Sequence, residues 1–259
     1  MLITNYGNWA LITGASSGIG EEFARRLAEE GMSLILVARR KERLEKLSAE
    51  LKQKNNIEIV IAPLDLSEDN FMEKLKQYVG NRIVSILVNN AGVGSTGEFI
   101  NTNSEHEMKM VKLNCVAPTI LAHHFVRPMV EQKRGAIIFL GSVVGYQPTP
   151  YMATYSASKV FNVFMGEALW WELKKYNIDV LAVNPGGTET EFQRIAKASV
   201  GPAPRKASDV VNTALKALGK KPGVVDGYLN KILAVSSKFA SRKLTVIVSG
   251  FVTKKLYQA

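Results

Sequence analysis

A tyrosine and a lysine four residues apart, Tyr155 and Lys159, are the pair in this sequence best suited to acid–base chemistry. On a helix that spacing puts both side chains on one face. A lysine cation beside a phenol favours phenolate and is expected to lower the tyrosine pKa from about 10 toward neutrality. A phenol tuned in this way gives a proton to a carbonyl oxygen, or takes one from an alcohol, near pH 7. Ser142 follows an apolar stretch, 135–141, that reads as a buried strand, so its hydroxyl can hydrogen-bond the same oxygen. Tyr146 and Tyr151 are nearby, but neither has a lysine four residues on. Tyr155 is therefore the candidate acid. A Tyr-x-x-x-Lys pair also occurs on ordinary solvated helix faces, so the elements around it must carry the case.

Those elements alternate. Apolar strands and helical segments follow one another from residue 9 onward, the pattern of a parallel sheet with crossover helices. The first strand, 9–13, runs into Thr13-Gly14-Ala15-Ser16-Ser17-Gly18-Ile19-Gly20 and then directly into a helix over 21–30 closed by Gly31. Glycines between a strand and a helix let the backbone turn tightly and approach a pyrophosphate at the helix N-terminus. The second strand, 33–38, ends in Ala38-Arg39-Arg40. An acid at this strand end selects a free ribose 2′-hydroxyl, whereas arginine accommodates a 2′-phosphate, so the expected cofactor is NADP(H). Arg40 reads nearly as well as the start of an exposed charged helix. The third strand, 58–63, leads to Asp65 and Leu66, with Asp65 placed either for an adenine amino group or as a helix cap. The fourth, 85–89, runs from Asn89 into Asn90-Ala91-Gly92, where amides and a small residue suit both sheet-edge stabilisation and cofactor contact.

A long helix is expected over 104–133, with Asn114 inside it. A buried asparagine in a helix needs partners, and bending the helix to hold a water is one solution. His123 and His124 are adjacent, point in different directions and read as packing or surface residues, so no metal site is expected. The helix carrying Tyr155 and Lys159 should begin near 154 and end near 176. A sixth strand, 178–183, leads into Pro185, Gly186, Thr188 and Thr190, whose hydroxyls are placed to meet a carboxamide at the sheet's carboxyl edge. The stretch from 187 to 206 has no firm periodicity and reads as a lid over a substrate pocket.

The chain has 259 residues, 46% of them hydrophobic and 22% charged, which suits one soluble α/β domain. Cys115 is the sole cysteine, so a disulfide within the chain and a cysteine zinc site are excluded. No early segment resembles a signal peptide, and a cytoplasmic location is the default expectation. No nucleic-acid-binding module is present. The formal net charge is +10, and the stretch 227–259 holds six Lys or Arg and no Asp or Glu.

Taken in order, Thr-Gly-x-x-x-Gly-x-Gly, Asn-Asn-Ala-Gly, a helix asparagine, Ser142, Tyr-x-x-x-Lys and Pro-Gly-x-x-x-Thr resemble the short-chain dehydrogenase/reductase family over roughly residues 9–227. The resemblance implies a doubly wound Rossmann-type sheet of about seven strands with helices on both faces. It implies Tyr155 as general acid/base, Lys159 as its modulator and nicotinamide-ribose contact, Ser142 as substrate-orienting hydroxyl and Asn114 as holder of a relay water. It also implies Gly14, Ser16, Ser17, Gly18, Ile19 and Gly20 around the pyrophosphate. Arg39 and Arg40 belong at the 2′-phosphate; Asp65, Leu66, Asn89, Ala91 and Gly92 on the adenosine side; Pro185, Gly186, Thr188 and Thr190 at the nicotinamide. The expected activity is NADPH-dependent reduction of a ketone or 3-oxoacyl group, with an NADP(H)-binding sensor or a lipid-surface protein as the competing readings. A homodimer or homotetramer is expected from the family's habit. Residues 228–259 form a basic, apolar extension that reads as an oligomer-forming helix pair, a lid over an apolar substrate, or a weak peripheral contact with an anionic membrane.

Overall fold

Trp9 to Thr13 is apolar almost throughout, and all but the first residue is buried. Such a strand requires neighbours on both edges and cover on both faces. The computed structural model describes residues 2–196 and 204–258, and it supplies both. β1 (Trp9–Thr13), β2 (Ser33–Ala38), β3 (Ile59–Pro63), β4 (Val84–Asn89), β5 (Gly135–Leu140), β6 (Ile178–Asn184) and β7 (Gly223–Val225) form one sheet. Its order is β3-β2-β1-β4-β5-β6-β7, with every pairing parallel.

The helices are α1 (Leu2–Tyr6), α2 (Gly18–Glu29), α3 (Lys41–Lys54), α4 (Phe71–Val79), α5 (Ser104–Val111), α6 (Ala117–Gln132), α7 (Ala153–Leu173), α8 (Glu191–Ile195), α9 (Ala207–Ala217), α10 (Tyr228–Phe239) and α11 (Arg242–Gln258). Strand alternation divides the core in two. Ala10, Ile12, Leu34 and Leu36 face α2, α3 and α9 through Phe23, Leu44 and Val211. Leu11, Ile35 and Val37 face the other way, toward α4 and α6 through Phe71, Leu75 and Phe125. This is the Rossmann-type doubly wound sheet, and its two wings meet between β1 and β4.

Three departures from the sequence expectations matter for the site. The helix expected over 104–133 is interrupted by a π-helical turn at Lys112–Val116, which contains Asn114. The short α1 was not anticipated; Tyr6 Oη donates 2.7 Å to Asp179 Oδ2, and its phenol is held well above the usual range by burial and that carboxylate. The expected lid falls partly on residues 197–203, which lie outside the described residues. On its described flanks, Thr188 and Arg205 form a parallel bridge and α8 follows Thr190.

Candidate active site

The carboxyl ends of β1 and β4 are stitched together by one hydroxyl. Thr13 Oγ1 donates to Val88 O at 3.1 Å and accepts from the N–H groups of Asn90 and Ala91, each at 2.9 Å. Asn90 Nδ2 closes the junction by donating to Thr13 O at 2.8 Å. The glycine turn fits against this junction only without side chains: Gly14 (φ +68°) and Gly18 (φ +60°) hold backbone conformations that L-residues rarely adopt, and a Cβ on Gly14 would meet Asn90 Nδ2 at 2.6 Å. Above the junction opens a cleft of about 270 Å³. It sits where an open α/β sheet binds ligands, at the reversal of strand order.

Ser142, Tyr155 and Lys159 line this cleft together. Ser142 leaves β5, its hydroxyl lying 3.3 Å from Pro185 O, and Tyr155 and Lys159 project from α7. All three are buried. Lys159 Nζ donates 2.8 Å to Leu140 O and stands 5.8 Å from the centre of the Tyr155 ring. Burial lowers the Lys159 pKa to about 8, with Cys115 acting weakly in the opposite direction. Burial pushes the Tyr155 phenol well above its ordinary value, and hydrogen bonding with Ser142 pulls it partly back. The expected lowering of the tyrosine is therefore not found in this arrangement. Desolvation outweighs a lysine whose ammonium is turned toward a strand carbonyl.

Asn114 is reached from the same spot. Its Nδ2 donates to Val93 O (2.9 Å) and Ser158 Oγ (3.0 Å), and its Oδ1 accepts from Val93 N (3.0 Å). Asn114 lies within the π turn, and Asn162 Nδ2 donates to its main-chain carbonyl at 2.8 Å. Asn114 does not line the cleft directly. It is joined to Lys159 across Gly92, where a Cβ would lie 3.1 Å from Asn114 Oδ1 and 3.5 Å from Lys159 Nζ.

At the other end of the cleft stand Ala38, Arg39 and Arg40. Arg39 is largely exposed, 3.8 Å from Asp65 Oδ2. Arg40 does not start a free solvated face: its guanidinium donates to Ser16 Oγ at 3.0 Å, Ser17 Oγ at 2.9 Å and Glu191 Oε2 at 2.7 Å. Arg43 adds a second guanidinium on Glu191 at 2.8 Å, and the two hold the Glu191 carboxyl down at about 2. Asp65 accepts from Ser67 N (2.9 Å) and Ser67 Oγ (2.7 Å), a local cap of the loop. Burial opposes its ionisation, but the Ser67 hydrogen bonds with the Arg39 and Lys109 charges bring its pKa below the ordinary value.

Of the residues predicted from sequence, Gly14, Ser16, Ser17, Gly18, Ile19, Arg39, Arg40, Asp65, Leu66, Ala91, Gly92, Pro185, Gly186, Thr188 and Thr190 line the cleft. Gly20 and Asn89 do not. Gly20 lies beneath the turn, where a Cβ would run into Gly14 O and Asn90 Nδ2. Asn89 is still in β4 and its pleat turns it away; its Nδ2 lies 3.5 Å from Pro118 O. Asn90, one residue later, lines the cleft instead. Thr188 Oγ1 donates to Gly186 O, and Thr190 Oγ1 donates to Gln193 Oε1. Sequence reasoning missed Glu191, Phe192 and Gln193, which also line the cleft. The Phe192 ring lies 5.5 Å from that of Tyr155, and nothing in the residue pattern of 187–206 signalled it.

The residues suit an NADP-type dinucleotide: a glycine turn at the start of α2, no carboxylate at the end of β2, and two guanidiniums beside it. A family model described as short chain dehydrogenase matches residues 8–200. The chain is 37% identical over 224 residues to a very-long-chain 3-oxoacyl-CoA reductase of Coccidioides immitis (strain RS), covering 84% of this chain and 63% of that protein. It thus spans under two thirds of that relative's length. It is 32% identical over 232 residues to a 7beta-hydroxysteroid dehydrogenase of Mediterraneibacter gnavus, covering 87% of this chain and 88% of the other. Among solved structures, a short-chain dehydrogenase from Sphingobium yanoikuyae in complex with NADPH is similar with a TM-score of 0.80 at 32% identity, over 90% of this chain and 93% of that one.

Proposed function

The chain belongs to the short-chain dehydrogenase family, and we propose that it reduces the carbonyl of a lipophilic ketone or 3-oxoacyl compound to an alcohol, with NADPH as cofactor. One observation carries the reading: a single cleft is lined by Ser142, Tyr155 and Lys159 at one end and by Ala38, Arg39 and Arg40 at the other. NADPH, when bound, supplies the hydride. Arg39 and Arg40 would hold its 2′-phosphate, and the N-terminus of α2 with Ser16 to Ile19 its pyrophosphate. Asp65, Leu66, Ala91 and Gly92 would flank the adenosine, and Pro185, Gly186, Thr188 and Thr190 the nicotinamide.

The chain's own residues handle the proton. Burial keeps Tyr155 protonated at neutral pH, the form an acid needs to protonate a carbonyl oxygen. Ser142, packed against that phenol, donates to the same oxygen and fixes its position. Lys159, with a pKa of about 8, is mostly cationic at pH 7 and stabilises the phenolate that proton transfer leaves behind. Asn114 and Lys159 face one spot across Gly92, the side from which the proton on Tyr155 is restored. The apolar wall of Val93, Leu140 and Phe192 and the names of the two relatives support a lipophilic substrate. Exposed Phe161, Phe164 and Trp171 on α7 support self-association through that helix.

The test is oxidation of NADPH and of NADH, followed by absorbance, against long-chain 3-oxoacyl thioesters, ketosteroids, aliphatic diketones and quinones. The reading expects turnover of at least one lipophilic carbonyl with NADPH preferred. Equal use of NADH would remove the role given to Arg39 and Arg40, and binding without turnover of any carbonyl would favour a nucleotide sensor.

A further inference from the structure

The two C-terminal helices leave most of their large apolar residues facing outward. A helix on a globular protein turns its apolar stripe inward and its polar face to water. Among the described residues of α11, the buried ones are Thr245, Ser249 and Thr253, spaced by four along one narrow stripe. Ser249 Oγ donates 2.8 Å to Pro148 O, while the Thr245 and Thr253 hydroxyls are satisfied within or just before the helix. The remaining faces carry Leu244, Ile247, Val248, Phe251 and Val252, between 45% and 73% exposed. In α10 the only buried hydrophobic residue among those described is Ala234, while Leu229, Leu233 and Phe239 are 58%, 58% and 86% exposed. An apolar surface of this continuity on a protein face marks an interaction site.

Charge decides what covers it. From Gly227 to Ala259 there are six lysines or arginines and no acid, and Lys231, Arg242, Lys243, Lys254 and Lys255 are exposed on the same two helices. A second copy docking through this face would bring like charges together with no carboxylate to offset them, since a two-fold contact pairs a patch with itself. An anionic lipid surface offers both what the apolar residues and what the cations require. No described helix is long and apolar enough to cross a membrane, so the helices would lie along the surface.

We propose that α10 and α11 form a docking face for anionic bilayers, with the apolar residues entering the interface and the lysines and arginines meeting lipid phosphates. The docking does not rest on the reductase reading, but it bears on it. α10 is anchored beside the cleft: Asn230 packs on Gly186 and donates 2.7 Å to Asp226 O, and α11 rests on Pro148 and Pro150 in the loop that follows Ser142. A docked protein would open its cleft close to the lipid, where a lipophilic carbonyl compound resides.

The test is flotation of the full chain with vesicles of phosphatidylglycerol and phosphatidylcholine in equal parts, and with phosphatidylcholine alone, at low salt and at about 0.5 M salt, where surface electrostatics are screened. Mass by light scattering without lipid accompanies it. The parent is expected to float with anionic vesicles at low salt and far less with neutral ones. Lys254→Gln with Lys255→Gln should weaken anionic binding on the order of tenfold. Phe239→Ser with Phe251→Ser should weaken it by a similar order, with an unchanged circular dichroism melt because both side chains are exposed. The proposal is overturned if the parent stays with the soluble fraction at low salt, or if neither double variant changes flotation. It is equally overturned if the Phe239/Phe251 variant has a smaller mass than the parent while the parent ignores anionic lipid, since a second copy then covers the face.

Discussion

Replacing Lys159 by methionine should make the protein more stable while removing its proposed activity. Lys159 is buried, and its pKa falls from the usual 10.5 to about 8. At about 1.4 kcal/mol per pH unit this corresponds to roughly 3 kcal/mol of stability forgone at pH 7. The folded protein holds that proton less tightly than the unfolded chain does. Between pH 8 and 10.5 the unfolded chain therefore binds more protons, and stability rises with pH across this window. The penalty is complete below pH 8 and fades toward 10.5. Methionine removes it at every pH, but it also forfeits the 2.8 Å bond to Leu140 O, a loss of about 1 kcal/mol. The net gain is roughly 2 kcal/mol near neutrality, or a melting temperature roughly 4–8 °C higher. Thermal melts of both proteins from pH 6.5 to 9.5 check this, and the gap should close by about 2 kcal/mol over that range. Parallel pH profiles, or a Lys159→Met variant less stable than the parent at pH 6.5, would refute the reasoning.

Other outcomes follow from the same geometry. Glu191→Gln removes the carboxylate held by Arg40 and Arg43; NADPH should then bind about 2- to 5-fold more tightly, with NADH unchanged, as measured by titration calorimetry. Arg40→Ala should weaken NADPH on the order of tenfold and spare NADH, since a charged hydrogen-bond partner of the phosphate is lost. Asn114→Ala strands the Val93 N–H and C=O that its amide now satisfies and should lower stability by roughly 2 kcal/mol in a denaturant melt. Phe164→Asp, at an exposed position of α7, should shift light-scattering mass toward the monomer if α7 mediates self-association.

The sheet was legible because its strands are short apolar runs punctuated by glycine, proline and charge. Predicted bounds such as 178–183 lie within a residue of β6 (Ile178–Asn184). The ends of strands were less legible. Asn89 and Asn90 have the same chemistry, and only the pleat of β4 decides which enters the cleft. The π turn at Asn114 was legible as a buried amide in need of partners, but not as a change of helix geometry, because the partners Val93 and Asn162 come from distant segments. Arg40 and Glu191 are far apart in sequence, so their pairing had no local sign. The lowered tyrosine pKa failed for a related reason. Spacing places Lys159 near Tyr155 but says nothing of the carbonyl that its ammonium meets, or of the burial that dominates both groups. The sequence marks the tail as basic and apolar, and only the structure shows that α11 turns a stripe of small polar residues, not its large apolar ones, toward the protein.

The most direct test of the proposed chemistry is Tyr155→Phe, with NADPH binding and turnover measured on the same sample. The account predicts a dissociation constant within about twofold of the parent, because a single hydroxyl is lost from the far end of a long cofactor site. It predicts a fall in kcat of about 10²- to 10⁴-fold, the contribution of a positioned general acid. Turnover retained in a variant that binds NADPH normally would contradict the assignment of Tyr155 as the proton donor.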